Sequence, residues 1–600
     1  MKTSSNENFA KKMAAKIKGK LIDMIRNYWI VRLLVFPILR PQRFMDDFVY
    51  SWVDFLRFKT SVQNLRSYIA NKGSVQSKVD GRPGLLLVAG RSMNTQWCQL
   101  WAVLGGIFSL KNYSTFVLTS KNEPIRNLYF RMFGFQLIYL EDLEINQMPV
   151  PLRVSEVIDR LETFQDFKTF KLDGSPLGSM ALSTYSRLRV TGIIDINDPQ
   201  TKAEVRAWVV FIYQAYVASK ELYQQKNIQM LFFTEVFMEE YGAFYYGALE
   251  LNLNVIRFAG TVRDNAIVVQ HLNRHSDRTH FSAIAPKSWQ KIVSYPDSPL
   301  IDQELEQNFL DRYGDVWAMS KRNQPNTRIV DPQIAKAELG IPADRKIGVI
   351  FSHILYDTLF FIGEDLFPSY ADWFVESVKA ACLNPNIEWF VKVHPSNLWR
   401  GELNQFLGGK YEEVRLIERY IGKLPEHVHM VYPDTPYSPY TWLQMTDYGI
   451  TVRGTSGIEL GALGRTVITA GSGRYETIGF TVNSKTAEQY LDILKTLPNA
   501  PEPSWEQRRL GVKFAYMTFC MKPYTLDFLI PKVRAGKSLI LTGDDLVWVG
   551  QFAKNMKELP HSIHRFMEWC LIPDSVDFLN EWPVQTQVRS ESATGLGASQ

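Results

Sequence analysis

Residues 447–481 read as a strand, a glycine-bracketed loop, a helix, a second strand and a second glycine loop in unbroken succession. The largely apolar residues 449–452 are typical of a buried parallel strand, and Gly454-Thr455-Ser456-Gly457 then turns the chain into a helix that begins near Ile458. A strand followed directly by a helix and another strand is the repeating unit of a parallel sheet. This stretch therefore predicts an α/β fold.

The start of this helix is a candidate anion site. Unpaired backbone N–H groups and the helix dipole attract phosphate there, and the flanking glycines let a ligand approach the backbone. Thr455 and Ser456 add two hydroxyls, and Glu459 in the first turn can accept hydrogen bonds from a ribose diol. An ordinary helix cap would use the same residues. The motifs around them favour the ligand site.

A second strand end carries a lysine and a histidine. Residues 388–393 form a strand-like run that ends in His394-Pro395, and the proline biases His394 toward extended geometry. Because ligands bind outside the carboxyl ends of parallel strands, we expect Lys392 and His394 to meet the Thr455-Ser456-Gly457 turn in one crevice. Lysine brings a positive charge there, and histidine can donate to a phosphate oxygen or protonate a leaving group.

The chain of 600 residues exceeds what one core usually supports, and its strands fall into two groups. The first group is predicted at 85–89, 113–118, 136–140, 228–234 and 254–258, and the second at 346–351, 388–393, 428–432, 448–452 and 466–470. We predict two Rossmann-like doubly wound domains with appendages, arranged as 1–83 helical arm and linker, 84–330 first domain, 346–503 second domain, 504–581 helices that cross back, and 582–600 disordered tail. No G-x-G-x-x-G follows the first strand, which counts against a dinucleotide cofactor.

The first 43 residues form a markedly basic arm. They contain ten lysines and arginines against Glu7 and Asp23, and apolar residues interleave with these cations from Met13 to Leu39. The pattern predicts either a helix that lies on an anionic membrane surface or a helix that packs on the first domain. Arg26, Arg32 and Pro37 interrupt it, so we predict no membrane span. The arm also lacks the cleavage site of a signal peptide.

Composition limits the remaining functions. Four widely separated cysteines form no metal-ligand cluster and no disulfide framework, which indicates a reducing, cytoplasmic setting. The net charge of +5 is small for this length, so no nucleic-acid partner is predicted. His271, His275 and His280 suggest a metal, but arginines lie among them without supporting acids. We predict no metal there and a basic lip for an anionic acceptor instead.

Five motifs follow one another between residues 346 and 485: residues 351–357, Lys392-Val393-His394-Pro395, residues 431–435, residues 455–468, and Tyr475-x-x-x-Gly479-Phe480-Thr481. In order and spacing they resemble the capsule polysaccharide biosynthesis family, GT-B glycosyltransferases related to the bacterial Kdo transferases. The resemblance implies a metal-independent enzyme with no cofactor, whose two Rossmann-like domains face a cleft. Its reaction would move a sugar from a nucleotide donor, for example CMP-Kdo, to a growing capsule or surface polysaccharide or a lipid-linked acceptor.

The resemblance also implies roles for individual residues of the second domain. Lys392 and His394 would contact the donor phosphate, and Thr455, Ser456 and Gly457 would hold it at the helix start. Glu459 would bind ribose. His353 faces the expected cleft, and Asp434 lies near the place of the nucleotide base. Arg453-Gly454 departs from the family pattern, which has a hydroxyl or small residue before the turn.

The first domain should supply the acceptor side. The acceptor hydroxyl requires a base, or the anomeric carbon a carboxylate nucleophile. Glu235, which follows a predicted strand, and Asp264 are the candidates, together with His394 as a catalytic group. Glu239 and Glu240 follow Glu235 and could equally be the exposed face of a helix. The predicted acceptor-binding residues, in the loop after the first strand, are Arg91, Ser92 and Asn94.

Two other functions fit the same sequence. One is a CDP-polyol phosphotransferase of the teichoic type, whose nucleotide domain is similar. The other is a catalytically inactive GT-B scaffold for polysaccharide assembly. In each case we expect a cytoplasmic protein that is peripheral on the inner face of the plasma membrane.

Overall fold

The computed structural model describes residues 29–39, 41–73, 81–91, 93–261, 263–314, 316–317, 326–357, 359–398, 409–536, 546–573 and 577–583. Several predictions concern residues outside these ranges. They are most of the basic arm, Ser92 and nearly all of the tail.

The described strands, numbered in chain order, are β1 Gly84–Gly90, β2 Ser114–Thr119, β3 Gln136–Tyr139, β4 Ile228–Phe233, β5 Asn254–Gly260, β6 Ala266–Leu272, β7 Ile347–Phe351, β8 Glu388–Lys392, β9 Val428–Val431, β10 Tyr448–Thr451, β11 Thr466–Thr469, β12 Val482–Asn483, β13 Tyr524–Thr525, β14 Leu529–Val533 and β15 Leu546–Gly550.

The described α-helices are α1 Trp29–Leu39, α2 Pro41–Phe44, α3 Ser51–Ser61, α4 Gln63–Gly73, α5 Thr95–Phe108, α6 Pro124–Arg131, α7 Leu152–Asp159, α8 Phe164–Thr169, α9 Leu177–Arg189, α10 Pro199–Gln225, α11 Glu239–Glu250, α12 Pro286–Ser294, α13 Pro299–Tyr313, α14 Pro332–Glu338, α15 Tyr370–Cys382, α16 Glu412–Tyr420, α17 Pro439–Met445, α18 Thr455–Ala462, α19 Ala487–Thr496, α20 Trp505–Tyr516 and α21 His561–Cys570. Two π-helical turns, Met45–Tyr50 and Met517–Met521, adjoin α3 and α20.

The first sheet has seven strands in the order β13-β6-β5-β4-β1-β2-β3. Strands β1 to β5 are parallel, while β6 and β13 are antiparallel to their neighbours. Alternate residues of β1 face two different cores, Leu86 and Val88 on one side and Leu85 and Leu87 on the other, because helices cover both faces of the sheet. The strand order reverses between β1 and β4.

The second sheet has six parallel strands in the order β12-β11-β10-β7-β8-β9. This is the Rossmann order, and its switch point lies between β7 and β10. The predicted doubly wound α/β class with two Rossmann-like units is confirmed. All ten predicted strands are present, with ends that shift by one or two residues.

The end of the chain returns from the second sheet to the first. Helix α20 packs on α18, and β13 then pairs with β6 in the first sheet. The sequence predicted helices throughout this segment, whereas it also contains β13 and the β14–β15 hairpin. The hairpin is anchored on the first domain, where the Trp548 N–H donates to Gln99 Oε1 at 2.6 Å.

Near the N-terminus, α1 continues through Pro37. Over the part of the chain that the structure describes, every helix is too short or too polar to cross a membrane.

Candidate active site

A cavity of about 430 Å³ lies between the two sheets, at the carboxyl ends of their strands. Both switch points open toward it, as expected for ligand sites of doubly wound sheets. The first sheet contributes Trp97, Thr234, Glu235, Phe237, Arg257, Phe258, Ala259 and Gly260, and the second contributes His353, Ile354, Asp357, Ile362, Tyr370, His394, Arg453, Gly454, Thr455 and Arg474. His280 and Phe281, from the segment that follows β6, complete the lining.

Arg474 forms one corner of the cavity together with the start of α18. Its Nη2 donates to Thr455 Oγ1 at 3.1 Å, its Nη1 donates to the Arg453 carbonyl at 2.9 Å, and its Nε donates to Ser282 Oγ at 2.8 Å. Burial lowers the pKa of Arg474 to about 10, so the guanidinium stays charged at neutral pH. Positive charge and a helix N-terminus thus meet at one point, which is the arrangement that binds phosphate.

Gly457 has a packing role at this corner. A Cβ on Gly457 would lie 2.2 Å from the Tyr475 hydroxyl, and that hydroxyl donates to the Gly454 carbonyl at 2.8 Å. The glycine therefore lets Tyr475 fasten the turn before α18. Ser456 and Gly457 do not line the cavity, although Gly454 and Thr455 do.

Arg453 is held as part of the wall. Its guanidinium pairs with Asp365, donates from Nη1 to the Tyr370 hydroxyl at 2.6 Å and donates from Nε to the Ser472 carbonyl at 2.7 Å. The Tyr370 hydroxyl and the Asp365 carboxylate keep the pKa of Arg453 above its ordinary value despite burial. Arg453 thus braces the loop before α18 against the loop after β11.

His353 and His394 line the same side of the cavity. His353 Nε2 accepts from the Val452 N–H at 3.2 Å, which assigns the ring proton to Nδ1, and burial holds the pKa of His353 well below its ordinary value. His394 Nδ1 accepts from the Ser396 N–H at 3.2 Å, which leaves Nε2 to carry the proton.

Glu413 supports this side from behind. Its Oε1 accepts from Ser352 Oγ at 2.9 Å and from the His394 N–H at 3.3 Å. Burial raises the pKa of Glu413 to about 7. The loops after β7 and β8 are therefore tied to one buried carboxyl group.

Glu235 lies across the cavity, directly after β4. Its Oε1 accepts from the N–H groups of Val236 at 3.0 Å and Phe237 at 3.2 Å, and its Oε2 is 3.9 Å from Arg187 Nη1. Burial raises the pKa of Glu235 above its ordinary value, although Arg187 opposes this shift. Arg187 Nη1 also donates to Asp357 Oδ1 at 2.9 Å and so links the loops of the two sheets.

Arg257 is a cavity residue that the sequence did not assign to the site, and His280, which the sequence assigned only to a basic lip for the acceptor, also lines the cavity. The Arg257 guanidinium lies 4.6 Å from the centre of the Phe237 ring, and burial lowers its pKa. His280 Nδ1 accepts from the Ser282 N–H at 3.1 Å. Burial and the nearby Arg474 hold the pKa of His280 well below its ordinary value, so its ring is neutral.

The three histidines that suggested a metal site have different surroundings. His271 is buried against Trp569, where its Nε2 lies 3.0 Å from the Trp569 carbonyl, and burial lowers its pKa to about 4. His280 lines the cavity, and His271 and His275 do not.

Two predicted donor ligands, Lys392 and Glu459, are buried and do not line the cavity. Lys392 ends β8, and among the residues that the structure describes its Nζ has no hydrogen-bond partner. Burial lowers the pKa of Lys392 to about 8. Glu459 is 2.8 Å from Arg312 Nη1 and accepts from the Tyr313 hydroxyl at 2.6 Å.

The other predicted site residues lie farther out. Asp434 is exposed, and neither Asp434 nor Asp264 lines the cavity. Asn94 precedes α5, and its carbonyl accepts from the N–H groups of Trp97 and Cys98. Arg91 lines a separate groove with Glu239 and Glu240. Ser92 lies outside the described residues.

Comparison with known proteins gives structural matches only, since no family model and no curated protein matches the chain. A β-Kdo 2,4-transferase, KpsC of Thermosulfurimonas dismutans, is 14% identical over 50% of this chain and 83% of its own, with a TM-score of 0.30. The β-Kdo 2,7-transferase of the same KpsC is 16% identical over 53% and 90%, with a TM-score of 0.29. A glycosyltransferase from Rickettsia africae is 8% identical over 72% and 93%, with a TM-score of 0.25.

At TM-scores of 0.30 and below, these likenesses carry no argument about this chain. The deciding observation is internal to the chain, since two Rossmann-like sheets face one cleft and the C-terminal segment crosses back to the first. The chain has the GT-B fold. In this GT-B protein, the cleft cavity is the candidate active site.

Proposed function

We propose that this protein is a glycosyltransferase that moves a sugar from a nucleotide donor to a glycan or lipid-linked acceptor. One observation carries the proposal. The cavity joins the Arg474–Thr455 corner, which suits phosphate, to Glu235, a carboxyl group on the opposite sheet. A sugar transferase needs these two groups on opposite sides of the anomeric carbon.

The corner would stabilise the leaving group. In the transfer, the acceptor oxygen bonds to the anomeric carbon, and the bond from that carbon to the phosphate oxygen breaks. The nucleotide leaves with the electron pair and gains negative charge. Arg474, Thr455 and the first turn of α18 would stabilise that charge, and His394 Nε2 would donate to a phosphate oxygen. We propose that these groups act without a divalent metal.

Glu235 would act on the other side of the sugar. As a general base it would take the proton of the acceptor hydroxyl, and as a nucleophile it would bond to the anomeric carbon first. Its Oε1 is fixed by two backbone N–H groups, which leaves Oε2 toward Arg187 as the reactive oxygen. Asp264 stays a second proposed catalytic group, outside the cavity lining.

We further propose a CMP-linked donor such as CMP-Kdo and an acceptor of the capsule type, on the family resemblance of residues 346–485. We also propose that the donor is contacted by four further residues that the resemblance implies, Lys392, Glu459, His353 and Asp434. The alternative with a specific basis is a CDP-polyol phosphotransferase, because the Arg474 corner would serve a phosphoryl group equally well.

We propose that the protein lies on a membrane surface, and exposed apolar residues near the N-terminus support this location. Helix α1 exposes Ile30, Leu33 and Leu34, and the π-helical turn before α3 together with α3 exposes Val49, Trp52, Val53 and Leu56. Both sets follow helical spacing and form apolar stripes. Since residues 1–43 are strongly basic, we propose that α1, α3 and the arm lie on anionic lipid at the cytoplasmic face.

The test is a donor panel. The protein is incubated with CMP-, CDP-, UDP- and GDP-linked sugars and with CDP-glycerol and CDP-ribitol, and the released nucleotide is measured. Release from a sugar nucleotide that is lost in Glu235→Ala supports the proposal. Release from a CDP-polyol alone supports the alternative. Consumption of none of them by the wild-type protein rejects both.

A further inference from the structure

We propose that a groove beside the cleft binds the acceptor and that it recognises an uncharged pyranose of a glycan. This inference rests on the function proposed above. The groove has a volume of about 620 Å³, within the roughly 300–1,000 Å³ of small-ligand sites. It lies among the C-terminal turn of α9, the N-terminal half of α10 and the first turn of α11. Its described lining residues are distinct from those of the cleft cavity.

One wall of the groove is an aromatic platform. Trp208 and Phe211 lie one turn apart on α10 with ring centroids 5.6 Å apart and planes at 89°. Both are half-buried, whereas Tyr213 and Tyr216 on the same helix are buried in the core. Leu188, which is half-exposed, faces the groove from α9. An aromatic ring of this kind packs against the C–H face of a pyranose and leaves the sugar hydroxyls to polar groups.

The opposite wall is polar and ordered. Arg91 Nε donates to Glu240 Oε1 at 3.1 Å, and the Arg91 N–H donates to the Tyr241 hydroxyl at 3.2 Å. Gly90 permits this contact, since it has a φ of 60° and a Cβ there would lie 1.9 Å from the Tyr241 hydroxyl. The wall therefore offers a fixed guanidinium and fixed carboxyl oxygens to sugar hydroxyls.

Glu239 lines the groove and has an unusual backbone conformation. Its φ of 47° lies in the left-handed region, which is rare for a glutamate and recurs at functional sites. Its N–H donates to Thr184 Oγ1 at 3.0 Å, which holds this conformation. The lining also contains Glu204, which pairs with Arg189, and Glu240, which pairs with Arg91, so Glu239 is the carboxyl group in excess. An anionic sugar would be repelled, so the charge pattern selects an uncharged one.

Two short segments of the chain contribute residues both to the groove and to the surroundings of Glu235. Glu235 lines the cavity and Glu239 lines the groove, and they are joined by the segment between β4 and α11. Arg187 Nη1 lies 3.9 Å from Glu235 and 2.9 Å from Asp357, while the next residue, Leu188, lines the groove. A sugar on the Trp208–Phe211 platform would therefore extend its neighbouring residue toward Glu235.

The inference is tested on a glycan array that carries neutral and anionic oligosaccharides. Wild-type protein is compared with Trp208→Ala, with Trp208→Phe and with Trp505→Ala, a matched change at an exposed tryptophan on α20. We expect the wild type to retain neutral oligosaccharides in preference to anionic ones. Trp208→Ala should weaken binding of the retained oligosaccharide about tenfold, Trp208→Phe should restore most of it, and Trp505→Ala should not change it.

A second measurement separates this inference from the proposed function. Release of nucleotide from the donor into water is measured with the wild-type protein, because this reaction uses the donor cavity and needs no acceptor. If the array result is as expected but no nucleotide sugar is consumed, the groove stands as a glycan site and the transferase function fails. If nucleotide is released but Trp208→Ala binds glycans as the wild type does, the groove inference is overturned alone. Preference for anionic glycans, or retention of none, also overturns it.

Discussion

Arg474 Nη2 lies 3.1 Å from Thr455 Oγ1, so one buried guanidinium is tied to the first residue of α18. The same group donates to the Arg453 carbonyl and to Ser282, which fixes its position without a neutralising carboxylate among these three partners. Inside the protein its charge is poorly screened and acts strongly on a nearby phosphate. The contact therefore concentrates positive charge at the helix start before any ligand binds.

Protonation of the Glu235 carboxyl group should lower the reaction rate at acid pH. Only the ionised form can accept a proton or act as a nucleophile, and burial raises its pKa above the ordinary 4.5. The wild-type rate should therefore fall as the pH decreases through that raised value. Glu235→Gln should reduce turnover by about 10²–10⁴-fold and leave donor KM nearly unchanged. Initial rates across the pH range check this.

Glu502→Gln, at an exposed carboxylate of the second domain, is the control and should keep the wild-type profile. Wild-type turnover in Glu235→Gln would refute the role of Glu235.

Lys392 should cost stability at neutral pH. Burial lowers its pKa from 10.5 to about 8, so the folded state prefers the neutral amine. The stability from this group is present above pH 10.5 and is lost as the pH falls through 8. Lys392→Met should therefore unfold at higher urea concentration than the wild type at pH 7, and the gap should narrow as the pH rises toward 10.

The same variant should bind nucleotide more weakly, because Lys392 is a proposed phosphate ligand. Lys379→Met, at a half-exposed lysine on α15, should change neither property. A Lys392→Met protein that is less stable than the wild type at pH 7 would contradict this explanation.

Glu459 should be important for stability. Its carboxylate neutralises Arg312 and accepts from the Tyr313 hydroxyl inside the protein. Glu459→Gln removes that charge and leaves Arg312 buried, which should lower the free energy of unfolding by about 3 kcal/mol. Denaturant titration measures this, with Glu376→Gln on the surface of α15 as the control. Equal stability of the two variants would show that water reaches Arg312. In a separate experiment, nucleotide titration of folded Glu459→Gln tests the proposed contact of Glu459 with ribose.

Much of the second domain could be predicted because its signals are local. Apolar runs marked β7, β8, β10 and β11, and the glycines marked the turn before α18. The helix begins at Thr455 rather than near Ile458, so the hydroxyls lie within its first turn. The sequence placed Gly454 in the turn but could not show that it would be the cap.

The rest of the site depends on contacts between distant parts of the chain. Arg257 looks like an ordinary residue of β5, and its place in the cavity follows from the approach of the second sheet. Arg474 followed a glycine loop that the sequence had already marked, and that loop was the available signal. His280 was noted only within a basic segment. The pairing of β13 with β6 joins residues that are far apart in sequence, so no local pattern predicted it.

The apolar stripes of α1 and α3 should bind anionic membranes. Trp52 and Leu56 are 46% and 44% exposed and lie on one face of a helix. A Trp52→Gln/Leu56→Gln double variant should sediment about tenfold less with vesicles of phosphatidylglycerol than the wild type. Trp505→Gln, at a tryptophan that is 64% exposed elsewhere, should behave as wild type. Undiminished sedimentation of the double variant would rule out this face, and equal binding to neutral vesicles would rule out the electrostatic part.

Calorimetric titration of CMP, CDP, UDP and GDP into wild-type protein, Arg474→Ala and Arg508→Ala tests the central claim most directly. Arg508 is a half-exposed arginine on α20 and serves as the matched control. If the cleft holds a nucleotide phosphate at the Arg474–Thr455 corner, one nucleotide should bind the wild type and Arg508→Ala alike. Its affinity should drop about 10²-fold in Arg474→Ala while the protein stays folded. Equal affinity of that nucleotide for folded Arg474→Ala and the wild type, or binding of none of the four to the wild type, would contradict the claim.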